Sequence, residues 1–316
     1  MTVVVFGAGA VGSLFAARFV GAGRDVVLVG RPEHVRAIER GGLRVEGVAS
    51  GTFRCRAASR IPSGLSPEAM LLTVKTFDLD AAARELASSV PPSPLLLPQN
   101  GVGIRYIARR SVAAGGWADP DRWLVRCVHS VPATWVEPGV VRAAGTGEVV
   151  LPAPDGAGAA AGAASLFAEL FRAAGFDVRT VGEIDREVWR KVAVNAAINP
   201  VTAIHRVPNG ELARGPLRAE AERLLREAVA VAHAVGFALP LDAAEGDLER
   251  VVAATAGNRS SMLQDLDRGR PTEIDAISGA IVRLAEQHGV NVPATRSALA
   301  AVRAAASRRG TAAQPS

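Results

Sequence analysis

Apolar residues follow two different rhythms along the chain. In the first part they come as short runs, many of them β-branched: Thr2–Phe6 (TVVVF), Asp25–Val29 (DVVLV), Ala69–Val74 (AMLLTV) and Leu95–Leu97 (LLL). Runs of this kind, bounded by turn residues, predict strands buried on both faces, as in a parallel sheet. Later strands are predicted at Arg126–Val131, Gly139–Arg142 and Asp177–Thr180, and a hairpin at Leu43–Val48 and Thr52–Ala57 around Ala49-Ser50-Gly51. Helical spacing appears at Leu14, Phe15, Ala17 and Arg18, and again over Ala163–Ala174 after the loop-like Pro152–Gly162 (PAPDGAGAAAG). Beyond residue 182 the rhythm becomes helical almost throughout. A helix is predicted from Asp185, its N-cap, to Pro200, which ends or bends it; others span Leu217–Val235, Leu241–Thr255, Ser260–Leu266, Glu273–Gln287 and Ala294–Arg303. The expected organisation is therefore α/β over residues 1–182, all-α over 183–306 and a disordered tail over 307–316.

Composition narrows the class. With 316 residues, 49% hydrophobic and 21% charged, the chain suits two globular domains. No apolar run reaches bilayer-spanning length, and the apolar start moves at once into a glycine turn, without the basic segment of a signal peptide. Cys55 and Cys127 are too few for a disulfide framework and lack metal-ligand spacing, which predicts a reducing cytoplasm. The net charge is +5, with Arg far outnumbering Lys, yet no basic run is interleaved with aromatics. Nucleic acid is thus a weak expectation, and the phosphates of a cofactor a better use of the charge.

The first run leads into Gly7-Ala8-Gly9-Ala10-Val11-Gly12, a G-x-G-x-x-G between a strand and a helix at the start of a βαβ unit. That context marks a Rossmann-type dinucleotide site: Gly7 for the tight turn, Gly9 for close approach of a pyrophosphate, Gly12 for helix packing. The helix start supplies N–H groups and a positive dipole end. After the second strand an NAD site usually carries an acid; here stand Gly30-Arg31, and a guanidinium can pair with a 2′-phosphate, which predicts NADP(H). Lys75 follows the third strand at its carboxyl end, where it could touch cofactor phosphate or ribose or simply be solvated. Asn100, in Pro98-Gln99-Asn100-Gly101, could meet nicotinamide and substrate or only shape the turn.

The other candidate site lies in WRKVAVNAAINP. Lys191, Asn195 and Asn199 are spaced i, i+4, i+8, which stacks an ammonium and two amides on one stripe of an otherwise apolar helix. Burying them costs free energy unless each finds a partner, and a polar substrate is one such partner. Ser260 and Ser261 could bind a carboxylate or cap the helix they begin. Glu273, taken to open a helix, has a purely structural explanation in the helix dipole, while its functional reading places it across a cleft from Lys191 or the cofactor. His205, His233 and His288 lack metal-site spacing, so no metal is expected.

These blocks together resemble the ketopantoate reductase (2-dehydropantoate 2-reductase) family over about residues 1–305. The matching stretches are GAGAVGS at Gly7–Ser13, Arg31, VKTF at Val74–Phe77, QNGVG at Gln99–Gly103, WRKVAVNAAINPVTAI at Trp189–Ile204, PNGEL at Pro208–Leu212 and SSMLQDLDRGRPTEID at Ser260–Asp275. The resemblance implies a Rossmann domain, a helical domain and an active site between them. It also implies NADPH-dependent reduction of 2-dehydropantoate to (R)-pantoate, on the way to pantothenate and coenzyme A. Lys191 matches the proton donor. Asn100 matches an asparagine near cofactor and substrate, and Asn195, Asn199, Asn209 and Ser261 match substrate-binding residues. Gly7–Gly12, Arg31, Lys75, Glu273 and, more loosely, Ala133 match cofactor positions. The departures are Pro98 and a Gly/Ala-rich insertion around Asp155–Ala164. Such an enzyme would work as a monomer or homodimer on a small 2-oxo acid, without nucleic acid or membrane. The rivals are a reductase of the same family acting on another 2-oxo acid, a non-catalytic NADP-binding regulator, and, further off, a nucleic-acid binder.

Overall fold

A computed structural model of the protein describes residues 1–154 and 160–310. Residues 155–159 of the expected insertion and residues 311–316 of the expected tail therefore lie outside the described residues. The chain divides into two compact units, Met1–Gln99 with Ile104–Ile184, and Asn100–Gly103 with Asp185–Ser316.

The first unit alternates strands and helices: β1 (Thr2–Phe6), α1 (Ala10–Gly21), β2 (Asp25–Val29), α2 (Pro32–Gly41), β3 (Leu43–Gly47), β4 (Gly51–Phe53), β5 (Arg56–Ala58), β6 (Ala69–Leu72), α3 (Leu79–Ser89), β7 (Leu95–Leu97), α4 (Ile104–Ala114) and β8 (Leu124–Arg126). It continues with β9 (Val128–His129), β10 (Ala133–Glu137), β11 (Val140–Ala143), β12 (Glu148–Pro152), α5 (Ala161–Ala173) and β13 (Asp177–Val181). Six strands form a parallel sheet in the order β5-β2-β1-β6-β7-β8. The order reverses beside β1, and such switch points are where open α/β sheets bind ligands. Alternation puts Val3, Val5, Val26, Leu28 and Leu71 into one core layer, and Val4, Phe6, Val27, Val29, Met70 and Leu72 into the other, under α3 and α4. The sheet is thus covered on both faces, as its unbroken apolar runs require. In the first layer Phe15, Phe19, Phe171 and Phe176 meet at ring-centroid distances of 5.0–6.3 Å.

Two smaller sheets complete this unit, β10-β11-β3-β4 and β13-β12-β9. They correct parts of the expected pattern. The hairpin's second arm stops at Phe53, and Arg56–Ala58 instead pairs in parallel with β2. β10 and β12 were not expected. Glycines and prolines flank both, and those breakers mask the buried Val149, Val150 and Leu151 of β12. β6 also ends at Leu72, short of the expected Val74.

The second unit is helical: α6 (Ile184–His205), α7 (Gly215–Ala234), α8 (Leu241–Ala254), α9 (Ser261–Asp267), α10 (Ser278–His288) and α11 (Pro293–Gly310). α6 continues past Pro200 and carries it inside the helix, with Asp185 already in its first turn rather than at its N-cap. An internal proline costs a helix about 3 kcal/mol. Burial of Val192, Ala193, Ala196, Ala197, Ile198 and Val201, each 3% exposed or less, opposes that cost. Glu227 on α7 caps α11, accepting from the backbone N–H groups of Ala294 (2.9 Å) and Thr295 (2.7 Å). α11 continues past Arg303 into the stretch expected to be tail, because its Ala- and Arg-rich sequence favours helix and meets no breaker before Gly310. The expected helix from Glu273 begins only at Ser278; residues 273–277 form turns. Among the described residues no helix is long and apolar enough to cross a membrane.

Candidate active site

The glycine turn after β1 is built so that only glycine fits at two of its positions. Gly7 has φ +120°, and a Cβ there would lie 2.6 Å from the Val74 nitrogen. A Cβ on Gly12 would come within 2.2 Å of the Gly7 carbonyl oxygen and 2.4 Å of Thr73 Oγ1. At Gly9, by contrast, nothing lies within 4 Å of the Cβ position, so glycine there keeps space open. Thr73 Oγ1 donates to the Gly7 carbonyl at 2.7 Å and locks the turn from β6's side. α1 starts at Ala10 with no capping side chain and no acid in its first turn. Its positive end is therefore suited to an anion.

Gly7 and Ala8 both donate to the Val29 carbonyl, at 2.9 and 3.0 Å, which docks the turn on the end of β2. Gly30 permits this approach, since a Cβ there would lie 2.3 Å from the Cβ of Ala8. The next residue, Arg31, is exposed in extended conformation. Three residues on, buried His34 joins α2 to α1. The Gly139 N–H donates to His34 Nδ1 at 2.9 Å, so the ring proton sits on Nε2, which faces Ser13 Oγ at 3.1 Å. Burial pushes this imidazole below its ordinary range, with Glu33 opposing.

Lys75 lies half-buried just past β6. Ala133 opens β10 opposite Ala143 and offers a ligand only its backbone and methyl group. Beyond β7 the backbone is pinned by two side chains. Gln99 Nε2 donates to the Leu72 carbonyl. Arg126, only 5% exposed, donates to the carbonyls of Leu97 (2.6 Å), Cys127 (2.7 Å) and Gln99 (2.6 Å). The residue delivered by that pinned segment is Asn100.

Within the second unit, Asn100 Nδ2 donates to Glu273 Oε2 at 3.1 Å, and Gly101 packs so closely on Ala276 that a Cβ would lie 2.4 Å from its carbonyl oxygen. Glu273 is 7% exposed and sits in the turn before α10, so the helix-dipole explanation for it falls away. On α6, Lys191 and Asn195 are half-buried and Asn199 is 6% exposed. Arg190, next to Lys191, makes a two-pronged ion pair with Asp247 of α8, both contacts at 2.9 Å. Of the two serines, Ser260 is the cap: its Oγ accepts from the Leu263 N–H and lies 2.7 Å from Thr202 Oγ1 of α6. Ser261, at the first position of α9, is exposed. Asn209 is held by a different neighbour, the turn after α8. Its N–H donates to the Asn258 carbonyl, that of Gly210 to the Ala256 carbonyl, and its Nδ2 to Thr255 Oγ1, each at 2.9 Å.

In the first unit an open glycine turn beside a cationic strand end suits a phosphate-bearing cofactor; in the second a lysine–asparagine stripe suits a small polar anion. Two family models match the chain in the same order: Ketopantoate reductase PanE/ApbA over residues 3–156 and Ketopantoate reductase PanE/ApbA C terminal over 183–306. The chain belongs to the ketopantoate reductase family. Among its relatives, the 2-dehydropantoate 2-reductase of Archaeoglobus fulgidus is 36% identical over 302 residues, 95% of this chain and 96% of that one. The enzyme of the same name from Halobacterium salinarum is 36% identical over 313 residues, 96% of this chain and 99% of that one. A crystal structure of a PanE/ApbA family ketopantoate reductase from Ralstonia eutropha superposes with a TM-score of 0.87, at 32% identity, covering 98% of this chain and all of that one. D-mandelate dehydrogenase, in a ternary structure with NADH and anilino(oxo)acetate, gives a TM-score of 0.90 at 25% identity, covering 98% and 99%.

Several residues that hold the candidate residues in place carry no motif. Thr73, Gly30, Arg126 and Thr255 act through neighbours distant in sequence, which no local spacing reveals. One signal was available in composition: of 36 basic residues only two are lysines, Lys75 and Lys191. A chain that uses arginine at every other cationic position keeps lysine at these two candidates.

Proposed function

We propose that the protein reduces 2-dehydropantoate to (R)-pantoate with NADPH, in the cytoplasm, as a monomer or homodimer. The observation that carries this reading is Lys191 on the Asn195/Asn199 stripe, in a member of the ketopantoate reductase family whose relatives from Archaeoglobus fulgidus and Halobacterium salinarum are named for that reaction. Gly7–Gly12 would hold the diphosphate on backbone N–H groups, and Arg31 the 2′-phosphate through its planar fork of donors. Lys75, Asn100, Ala133 and Glu273 would complete the cofactor contacts. Bound NADPH supplies the hydride.

The chain's own residues do the rest. As the ketone carbon gains a hydride, negative charge develops on its oxygen; the Lys191 ammonium stabilises that charge and transfers a proton to it. Arginine could not replace it as a donor, since a guanidinium does not give up its proton in the accessible pH range. Asn195, Asn199 and Asn209 orient the substrate's polar groups without adding charge, and Ser261 donates to its carboxylate. The test is the loss of NADPH absorbance with 2-dehydropantoate. Steady turnover by the wild-type protein, lowered about 100-fold or more in Lys191→Ala, is expected. Near-normal turnover in the variant would remove Lys191 from the chemistry.

The likeness to D-mandelate dehydrogenase favours a second reading, a 2-oxo acid with an aromatic side chain reduced with NADH. Arg31, standing where an NAD site carries an acid, argues against it.

A further inference from the structure

The amide of Asn209 has one orientation, and Thr255 sets it. Asn209 is 7% exposed, and its Oδ1 is buried without a hydrogen-bond partner among the described residues. A buried amide oxygen left unpaired is costly, and a native structure keeps one where something else fills it. Which end of an amide is oxygen normally has to be inferred from its neighbours. Here the neighbour decides. Thr255 Oγ1 lies 2.6 Å from the Val251 carbonyl oxygen, a distance two oxygens reach only with a hydrogen between them. The single hydroxyl proton of Thr255 is thereby used. Toward Asn209 the hydroxyl can only accept, so it takes the amide NH₂ at 2.9 Å and leaves Oδ1 turned the other way. The backbone cannot swing to change this, because Asn209 and Gly210 are both bonded to the same turn, and a Cβ on Gly210 would lie 2.9 Å from the Ala256 carbonyl oxygen.

We propose that Thr255 is a positioning residue for substrate choice: it keys Asn209 as a pure acceptor, which selects 2-oxo acids that carry a hydroxyl group. The inference rests on the reductase reading above. A 2-oxo acid anion offers acceptors at its carboxylate and ketone, and both are repelled by an amide oxygen. The terminal hydroxyl of 2-dehydropantoate is its only donor. An acid without that hydroxyl leaves Oδ1 unpaired, which is the kind of mismatch that discriminates strongly between substrates.

The test compares 2-dehydropantoate with 3,3-dimethyl-2-oxobutanoate, which lacks only the hydroxyl, in the wild-type protein, Thr255→Val and Thr255→Ser. Valine keeps the shape and removes the hydroxyl; serine keeps the hydroxyl and removes the methyl. The ratio of the two kcat/KM values is expected to favour 2-dehydropantoate about tenfold or more in the wild type. It should fall about tenfold in Thr255→Val, through a higher KM for the hydroxylated acid with kcat for the plain acid unchanged, and it should return in Thr255→Ser. An unchanged ratio in Thr255→Val, or an equal loss on both acids in both variants, overturns the inference while leaving the reductase reading intact. Wild-type turnover of neither acid overturns both.

Discussion

Between β1 and α1, the groups offered to a ligand are peptide N–H groups; along α6 and its neighbouring turns they are an ammonium, amides and hydroxyls. The first arrangement is made by leaving side chains out. Gly7, Gly9, Gly12 and Gly30 each remove a Cβ that would clash or fill space, and the strand ends do the positioning. The second is made by putting polar side chains into an apolar unit and satisfying all but a few of their atoms. A backbone cradle recognises what every dinucleotide shares. A side-chain site can differ from one oxo acid to the next, because each amide can be keyed as donor or acceptor by one neighbouring hydroxyl.

The sharpest way to break this contrast is at Lys191. Lys191→Arg keeps the charge and loses the transferable proton, so kcat should fall about 100-fold or more, as in Lys191→Ala, while NADPH binding measured by fluorescence stays near the wild-type value. If the arginine variant turned over normally, the ammonium would be acting as charge alone. Next comes the cradle. Gly12→Ala would drive a methyl into the Gly7 carbonyl and Thr73, and overpacking of this kind costs about 1–3 kcal/mol. The expected result is a higher KM for NADPH and a lower Tm, with the KM for the oxo acid little changed. Equal rises in both KM values would show that the two regions are not separable.

Arg31→Ala addresses the one side chain in the cradle that is expected to carry specificity. Losing a charge-assisted contact of about 1.5–3 kcal/mol should cut the NADPH-over-NADH preference by about 10- to 100-fold. The mildest effect belongs to His34, whose neutral ring bridges α1 and α2 beside the cradle. Burial holds its pKa below the ordinary 6.5, so the unfolded chain takes up the proton first. The stabilisation is complete above about pH 6.5 and declines as pH falls from there toward the folded-state value. The fall in Tm between pH 7.5 and 5.5 should therefore be smaller in His34→Gln than in the wild type, and an unchanged slope would show that another group sets it.

Legibility in the sequence followed the same division. The β1–α1–β2 unit could be read because its signals are local: an apolar run, glycines at fixed offsets, a helical period and then Arg31. The stripe on α6 could be read because four-residue spacing is local too. β10 and β12 could not, since glycine and proline border them; β10 is held as an edge strand by its hairpin with β11, and β12 by pairing with β9 and β13, both about 20 or more residues away. α6 continues through Pro200 because tertiary burial outweighs a local penalty. Glu273 looked like a helix start by composition, and its part-buried bond to Asn100 crosses 173 residues. Thr255 and Arg126 have no motif at all. Their roles depend on which carbonyl or amide the fold brings to them, and that is a property of the packed chain.

The most direct test of the account is one set of steady-state assays on the wild-type protein, with 2-dehydropantoate and phenylglyoxylate as oxo acids and NADPH and NADH as reductants. The highest kcat/KM is expected for 2-dehydropantoate with NADPH, lost on either exchange. A higher value for phenylglyoxylate with NADH would contradict it, on the role of Arg31 and of the acceptor at Asn209 together.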